Sequence, residues 1–432
     1  MFIIKKLSSA VLYIVKTLCF AVKGMLSRPN TIKKVGIVLS CSGALWIISD
    51  VFSLHMAHKP ILGWLLRWIW IPLSLLLLIF RHGEVITRHK IKRFFEQKGF
   101  RGYDRKIPKY ILTTILNRYL VKIRFKSRIP FDKWEHIVSD LEVFYKKRIL
   151  KIKNSQEDMT DMDIYVIEEN LPDFIEWDDS FMVDGRKFAI GEGYEGKAVW
   201  DAASLAHGIC AGATGGGKTA LLRCIIHQAI KKKYNVTVFD FKGGGDFTES
   251  EREYQKYKDL EKGYGSFIIS EPKEARDILL CLLVEVRGRL QYFKQAGASN
   301  VEEFNALGGL RFIPWLLIID EAAEVLDVKP KNKEEKDLYC EIDQILKTLA
   351  RISRAAGVHI LMGIIRPSTD IIDGQIKNNL LWRACSYFAD EAASRLVLGN
   401  DKATKLPSNV KGRFVIGDDE VQAYYLPIPK AE

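Results

Sequence analysis

The chain of 432 residues lacks the signatures of several common chemistries. Its seven cysteines (Cys19, Cys41, Cys210, Cys224, Cys281, Cys340, Cys385) are scattered, with no C-x-x-C pair and no Cys/His cluster at zinc spacing. This excludes a disulfide scaffold or zinc module, and the thiols are expected buried and free in a reducing compartment. Neither H-E-x-x-H nor G-x-S-x-G occurs, which removes the common metalloprotease and serine-hydrolase patterns. Acid is nearly missing from residues 1–80, where Asp50 stands against nine Lys/Arg, a net of +8. Residues 81–153 set seven acids against 21 Lys/Arg, a net of +14. The whole chain carries +12, so residues 154–432 carry −10. The basic excess therefore sits in the first third, and most of the chain is acidic.

Long apolar runs are confined to the N-terminal region. Val35–Leu54 and Ile61–Phe80 are each about 20 residues, roughly 30 Å as a helix, the thickness of a bilayer's hydrocarbon core. The connector His55–Pro60 is short, and both outer flanks are basic: Lys33 and Lys34 before, Arg81, Arg88, Lys90, Lys92 and Arg93 after. The positive-inside rule then places both flanks in the cytoplasm. Two transmembrane helices in a plasma-membrane hairpin are expected at 35–80, with both termini cytoplasmic. Arg67 is expected to snorkel towards the interface. Residues 1–34 read as a basic amphipathic segment on the membrane surface, since Lys16 and Lys23 interrupt the apolar run a signal peptide would need.

Residues 81–153 interleave Lys/Arg with aromatics, as in KRFFEQKGFRGYDRK and YLVKIRFKSR. Two readings stay open: a nucleic-acid-binding collar or a juxtamembrane domain facing anionic lipid. Within it, Asp132–Leu150 has apolar residues at 134, 137, 138, 141, 144 and 145, one face of a helix expected to pack on a neighbouring domain or subunit. Residues 154–184 open on the polar KNSQEDMTDMD and are expected to be a linker.

Residues 185–432 carry the chemistry. GATGGGKT, Gly212–Thr219, fits G-x-x-x-x-G-K-[ST] without a mismatch. LAHGICA before it reads as a buried strand, and GKTALLRCIIHQAIKKK after it as a helix. Glycines let backbone N–H groups approach phosphates, and the helix N-terminus adds its dipole. Gly212, Ala213, Thr214, Gly215, Gly216, Gly217, Lys218 and Thr219 are therefore expected to cradle ATP. Lys218 reaches its β- and γ-phosphates, and the Thr219 hydroxyl serves Mg²⁺. A second strand, NVTVFDFKGGGDF, carries Asp240 and Lys242 at its C-terminal end. A third, RFIPWLLIIDEAAEVL, is apolar from Leu316 to Ile319 and ends in Asp320 and Glu321. Asp320 is assigned to the metal and Glu321 to activation of the attacking water. Alternating strands and helices imply an α/β core with a mostly parallel sheet covered on both faces.

GATGGGKT, FDFKGGGDF, LLIIDEAAEVL and ARISRAAGVHILMGIIRPSTDIIDGQIKNN follow one another as in the FtsK/SpoIIIE DNA-translocase family, which residues 185–425 resemble. The resemblance implies a RecA-like P-loop core, a hexameric ring, DNA as substrate and a membrane anchor. It also implies arginines that act on a neighbouring subunit's site, for which Arg351, Arg354 and Arg395 are candidates. Three departures stand out: Ile365 replaces a glutamine usual in the family, there are two spans with almost no linker, and no reading domain follows. That shortened plan is similar to the conjugative-transfer coupling proteins of Gram-positive elements and plasmids. Such proteins link a relaxase–DNA complex to a channel in the membrane. The alternatives are a chromosome-partitioning translocase and a type VII-like protein-export ATPase.

Overall fold

The computed structural model describes residues 85–155, 160–243, 245–257, 267–369, 371 and 374–427. The two expected transmembrane segments and the N-terminal segment lie outside these residues. Among the described residues, no helix is long and apolar enough to cross a membrane. The chain divides into two compact units, 1–170 and 171–432.

The first unit runs α1 (Val85–Gln97), β1 (Lys109–Ile115), β2 (Leu120–Lys126), α2 (Phe131–Tyr145), β3 (Ile149–Asn154) and β4 (Asp161–Ile167). The strands form an antiparallel sheet in the order β1-β2-β4-β3. Strand β2 alternates strictly. Val121, Ile123 and Phe125 are buried, while Lys122, Arg124 and Lys126 are not. The apolar face packs on both helices, with Phe95, Phe125 and Trp134 in mutual ring contact and Ile91, Ile137 and Leu141 around them.

Two expectations change here. Helix α2 stops at Tyr145, because Lys146 takes a left-handed φ of 54° as its cap and Ile149 already begins a strand. Its apolar face packs on the sheet of its own unit. The stretch 154–184, expected as a linker, contains β4, which pairs with both β2 and β3.

The second unit runs β5 (Ile175–Glu176), β6 (Lys187–Gly193), β7 (Gly196–Asp201), β8 (His207–Ala211), α3 (Lys218–Lys231), β9 (Asn235–Phe239), α4 (Thr248–Tyr257), β10 (Ile268–Ile269), α5 (Pro272–Ala296) and α6 (Val301–Ala306). It continues with β11 (Trp315–Ile319), α7 (Ala323–Leu326), α8 (Lys333–Ile352), β12 (Val358–Ile364), α9 (Gly374–Asn379), β13 (Leu380–Ser386), α10 (Glu391–Leu398), β14 (Arg413–Ile416) and β15 (Asp419–Tyr425). One sheet has the order β10-β9-β11-β12-β8-β13-β14-β15-β6-β7, with β5 beside β15. From β10 to β13 every neighbour is parallel; from β13 to β7 every neighbour is antiparallel.

The sheet is therefore mixed, with the expected parallel order confined to the half that holds the phosphate loop. The other half is built on hairpins. Gly196 and Gly417 take φ of 131° and 61° in the tight turns β6–β7 and β14–β15, which leave no room for a crossover helix. Strand β11 shows why the parallel half reads as an unbroken apolar run. Leu316 and Ile318 pack with Leu221, Leu222 and Ile225 of α3 on one face. Trp315, Leu317 and Ile319 pack with Leu279, Leu346 and Leu349 of α5 and α8 on the other. Of the described cysteines, all free, Cys210, Cys224 and Cys385 are buried as expected, whereas Cys281 and Cys340 are exposed.

Candidate nucleotide-binding site

The parallel strands end together at one edge of the sheet. There β8 gives way to the glycine loop and then α3. Gly215 and Gly217 take φ of 82° and 99°, a region an L side chain rarely enters. Gly212 and Gly216 are needed for a different reason. A Cβ on either would fall 1.8 Å or 2.4 Å from the hydroxyl of Ser386, the last residue of β13. Ser386 is buried, and its Oγ has no hydrogen-bond partner. It forms the floor of the loop. On the far side, the Gly412 N–H donates to the Gly216 carbonyl at 3.0 Å. The loop is thus held from below and from the side. The first-turn N–H groups of Lys218, Thr219 and Ala220 have no carbonyl four residues back to bond. The cradle has the shape and donor chemistry of a phosphate site.

Lys218 opens α3 and is buried. Its Nζ donates to the Asp320 Oδ1 at 2.9 Å and to the Asp320 carbonyl. Gly363 of β12 makes this reach possible: a Cβ there would stand 2.0 Å from the Asp320 carbonyl oxygen and 2.8 Å from Lys218 Nζ. Asp320 and Glu321 are themselves buried, at the C-terminal end of β11. Glu321 Oε1 accepts from the Ile365 N–H at 3.3 Å, and Oε2 has no hydrogen bond. The Lys242 ammonium lies 3.8 Å from Oε2 and 3.7 Å from Asp320 Oδ2. Lys218, Asp320, Lys242 and Glu321 thus form a chain of alternating charge, which makes burial of the acids tolerable.

Sequence reasoning noted Lys242 but gave it no role. Asp240, also noted, is the residue that presents it: buried Asp240 accepts the Lys242 backbone N–H on Oδ1 at 2.9 Å, an Asx turn that swings the chain back over the site. Ser386 was missed entirely. Its only signal in the sequence is a small residue closing a buried strand.

The residues fit a nucleoside triphosphate with a divalent cation. The loop offers N–H donors and Lys218. Half-buried Thr219 and buried Asp320 are oxygen donors of the kind Mg²⁺ prefers. Among the described residues no group of three or more His/Cys/Asp/Glu could hold a metal alone, so phosphate oxygens would complete its shell.

The arginines are elsewhere. Arg351 lies in the last turn of α8 and Arg354 just after it, both before β12, at the opposite edge of the sheet from the glycine loop. They line a cavity of about 350 Å³ with Arg186, Ser299 and Asn300. The Arg354 Nε donates to the Ala203 carbonyl at 3.2 Å. Arg395 is exposed on α10 and pairs with Glu391 at 3.0 Å. Among the described residues no hydrogen bond joins any of the three to the Lys218–Asp320 pair.

Residues 183–314 match the sequence profile of the FtsK/SpoIIIE family. Over 256 residues the chain is 29% identical to DNA translocase FtsK of Clostridium tetani, covering 54% of this chain and 32% of that protein. Over 217 residues it is 29% identical to DNA translocase SftA of Bacillus subtilis, covering 48% and 21%. The chain thus spans a third or less of the length of these curated relatives. Among solved structures it is similar to the pCW3 conjugation coupling protein TcpA, in monomer form with ATPγS. That match has 31% identity, 79% of this chain, 95% of that chain and a TM-score of 0.58.

Proposed function

The chain belongs to the FtsK/SpoIIIE family, and on that premise we propose that it is an ATP-driven DNA translocase acting as a coupling protein in conjugative transfer. The observation that carries the ATPase reading is the buried contact of Lys218 with Asp320, beside a Glu321 oxygen that has no hydrogen-bond partner. A bound nucleotide supplies the phosphoanhydride bond whose cleavage drives the motor. Gly212–Thr219 would hold its phosphates, and Thr219 and Asp320 would hold the cation. Glu321 Oε2 accepts a proton from water. Lys218 and Lys242 hold the two acids in place.

Conjugation is favoured over chromosome partitioning by the likeness to the solved chain of a conjugation coupling protein, 31% identical and matched over 95% of that chain at a TM-score of 0.58. The apolar segments at 35–54 and 61–80 anchor the protein in the plasma membrane, with the motor on the cytoplasmic side. Rings of six subunits are the assembly this reading takes from the family. On this reading Arg351, Arg354 and Arg395 serve a neighbouring subunit's site. A relaxase and channel proteins are the partners it implies.

The test is ATP turnover by the full-length chain with duplex DNA, single-stranded DNA or neither, and Glu321→Gln as the blank. Stimulation of several-fold by DNA is expected. Intact basal turnover that ignores both forms would turn the reading towards protein export.

A further inference from the structure

The two helices of the first unit pack on one face of its sheet; on the other face Asp163 and Arg124 are largely buried at the centre, with exposed cations around them. Registers place its side chains. Lys109, Leu112 and Thr114 of β1 stand beside Lys126, Arg124 and Lys122 of β2. These oppose Asp161, Asp163 and Tyr165 of β4, and Lys153 and Lys151 of β3 oppose the latter two. Six cations thus share one face with two acids. The acids do not cancel the field; they arrange it. Asp163 takes two hydrogen bonds from Arg124, at 2.7 Å and 2.9 Å, and lies 3.9 Å from Lys122. Lys109, Lys126 and Lys153 are exposed. Tyr165 sits at the middle of the face, with the Lys151 ammonium 5.0 Å from its ring centre.

We propose that this face binds single-stranded DNA. It rests on the reading of the protein as a DNA translocase and adds where, outside the motor, an unpaired strand is held. Like-facing side chains on a strand recur about every 6.6–6.8 Å. Rows of cations at that pitch follow an extended phosphate backbone, and an aromatic ring among them offers a base a stacking surface. A duplex is read by elements that enter its grooves, and this face is a sheet with no projecting helix. A lipid surface would favour apolar side chains beside the cations. The face has Leu112 alone.

The experiment uses the full-length chain, a fluorescent oligothymidylate, a duplex of equal length, and vesicles of equal parts phosphatidylserine and phosphatidylcholine. One variant combines Lys122→Gln, Lys126→Gln, Lys151→Gln and Lys153→Gln, leaving Arg124 and Asp163 intact. A second is Tyr165→Leu. The charge variant should bind the single strand roughly tenfold or more weakly. Its salt slope should shrink by about 0.7 per lost contact, about 3 in all. Tyr165→Leu should bind about fivefold or more weakly with an unchanged slope, the loss expected of a stacked base. Duplex binding and basal ATP turnover should be unchanged in both. Wild-type affinity and slope in the charge variant would overturn the proposal. So would loss of vesicle binding with single-strand binding intact, which assigns the face to lipid. A wild-type chain that binds neither form of DNA would instead sink the translocase reading itself, and this inference with it.

Discussion

The two units use cations in opposite ways. In the second unit Lys218 is buried, enters through a gap that only Gly363 leaves open, and is fixed on Asp320 at 2.9 Å. In the first, Lys109, Lys126 and Lys153 are exposed on a sheet face where the cations of β2 and β3 flank the two acids of β4. A sealed cation in a glycine cradle can serve one small anion at one position. A field of exposed cations suits a long anion in many registers. Net charge alone points the wrong way: residues 154–432 carry −10 and contain the phosphate cradle, because the site needs few charges, placed rather than many.

The sharpest way to test that contrast is Glu321→Gln. It removes the charge of buried Glu321 while keeping volume. Turnover should fall by about 10²–10⁴, with little change in melting temperature. A fall of less than about tenfold would remove Glu321 from its role. Gly363→Ala should act on the other half of the contact. The added Cβ meets backbone at 2.0 Å, so the strand must shift and Lys218 must leave Asp320. A loss of about 1–3 kcal/mol is expected by denaturant titration, together with loss of binding of a fluorescent ADP analogue. Near-normal binding and stability would mean the Lys218–Asp320 reach is not sterically set.

Lys242→Gln should have a smaller effect. Lys242 is half-exposed and touches the acids only at 3.7 Å and 3.8 Å, so stability should change by less than about 1 kcal/mol. Turnover should drop by about tenfold, with nucleotide affinity within about threefold of the wild type. Equal losses in affinity and turnover would place Lys242 on the nucleotide rather than on Glu321.

How much of this was legible in the sequence follows from range. The strands β8, β9, β11 and β12 are apolar runs stopped by glycine or by acid, and local pattern suffices to find them. Lys218, Asp320 and Glu321 sit at the ends of such runs. Strand β4 was lost because its apolar residues follow an acidic stretch and alternate with Asp161 and Asp163, whose cation partners lie on β2 and β3. The antiparallel wing was lost because strand direction depends on turns joining distant partners, such as β15 with β6. Ser386 and Lys242 meet the site only through pairing across the sheet, 168 and 24 residues from Lys218. Neither distance leaves a periodic trace.

A third cation completes the comparison, because its charge can be removed by pH. His227, on the helix that Lys218 opens, has Nδ1 2.8 Å from Glu253 of α4 and Nε2 3.1 Å from Asp179. Lys231 reaches the same Asp179 at 3.3 Å, and the Trp177 Nε1–H donates to it at 2.9 Å. Burial works to lower the His227 pKa, but the hydrogen bonds and charges of Glu253 and Asp179 outweigh it and raise it above its ordinary value. Asp179 is held down at about 2, chiefly by its bond to His227. A raised folded pKa gives stability that is whole below the unfolded value of about 6.5 and is lost as pH climbs through the folded one. The Asp179 contribution is lost only as pH falls through about 2. As pH rises from about 6.5 through the raised folded pKa, the wild type should therefore lose melting temperature relative to His227→Gln, by no more than about 1 kcal/mol in stability. Parallel curves would mean the imidazole stays neutral, and that the tie from the phosphate-loop helix to α4 is a hydrogen bond rather than a charge.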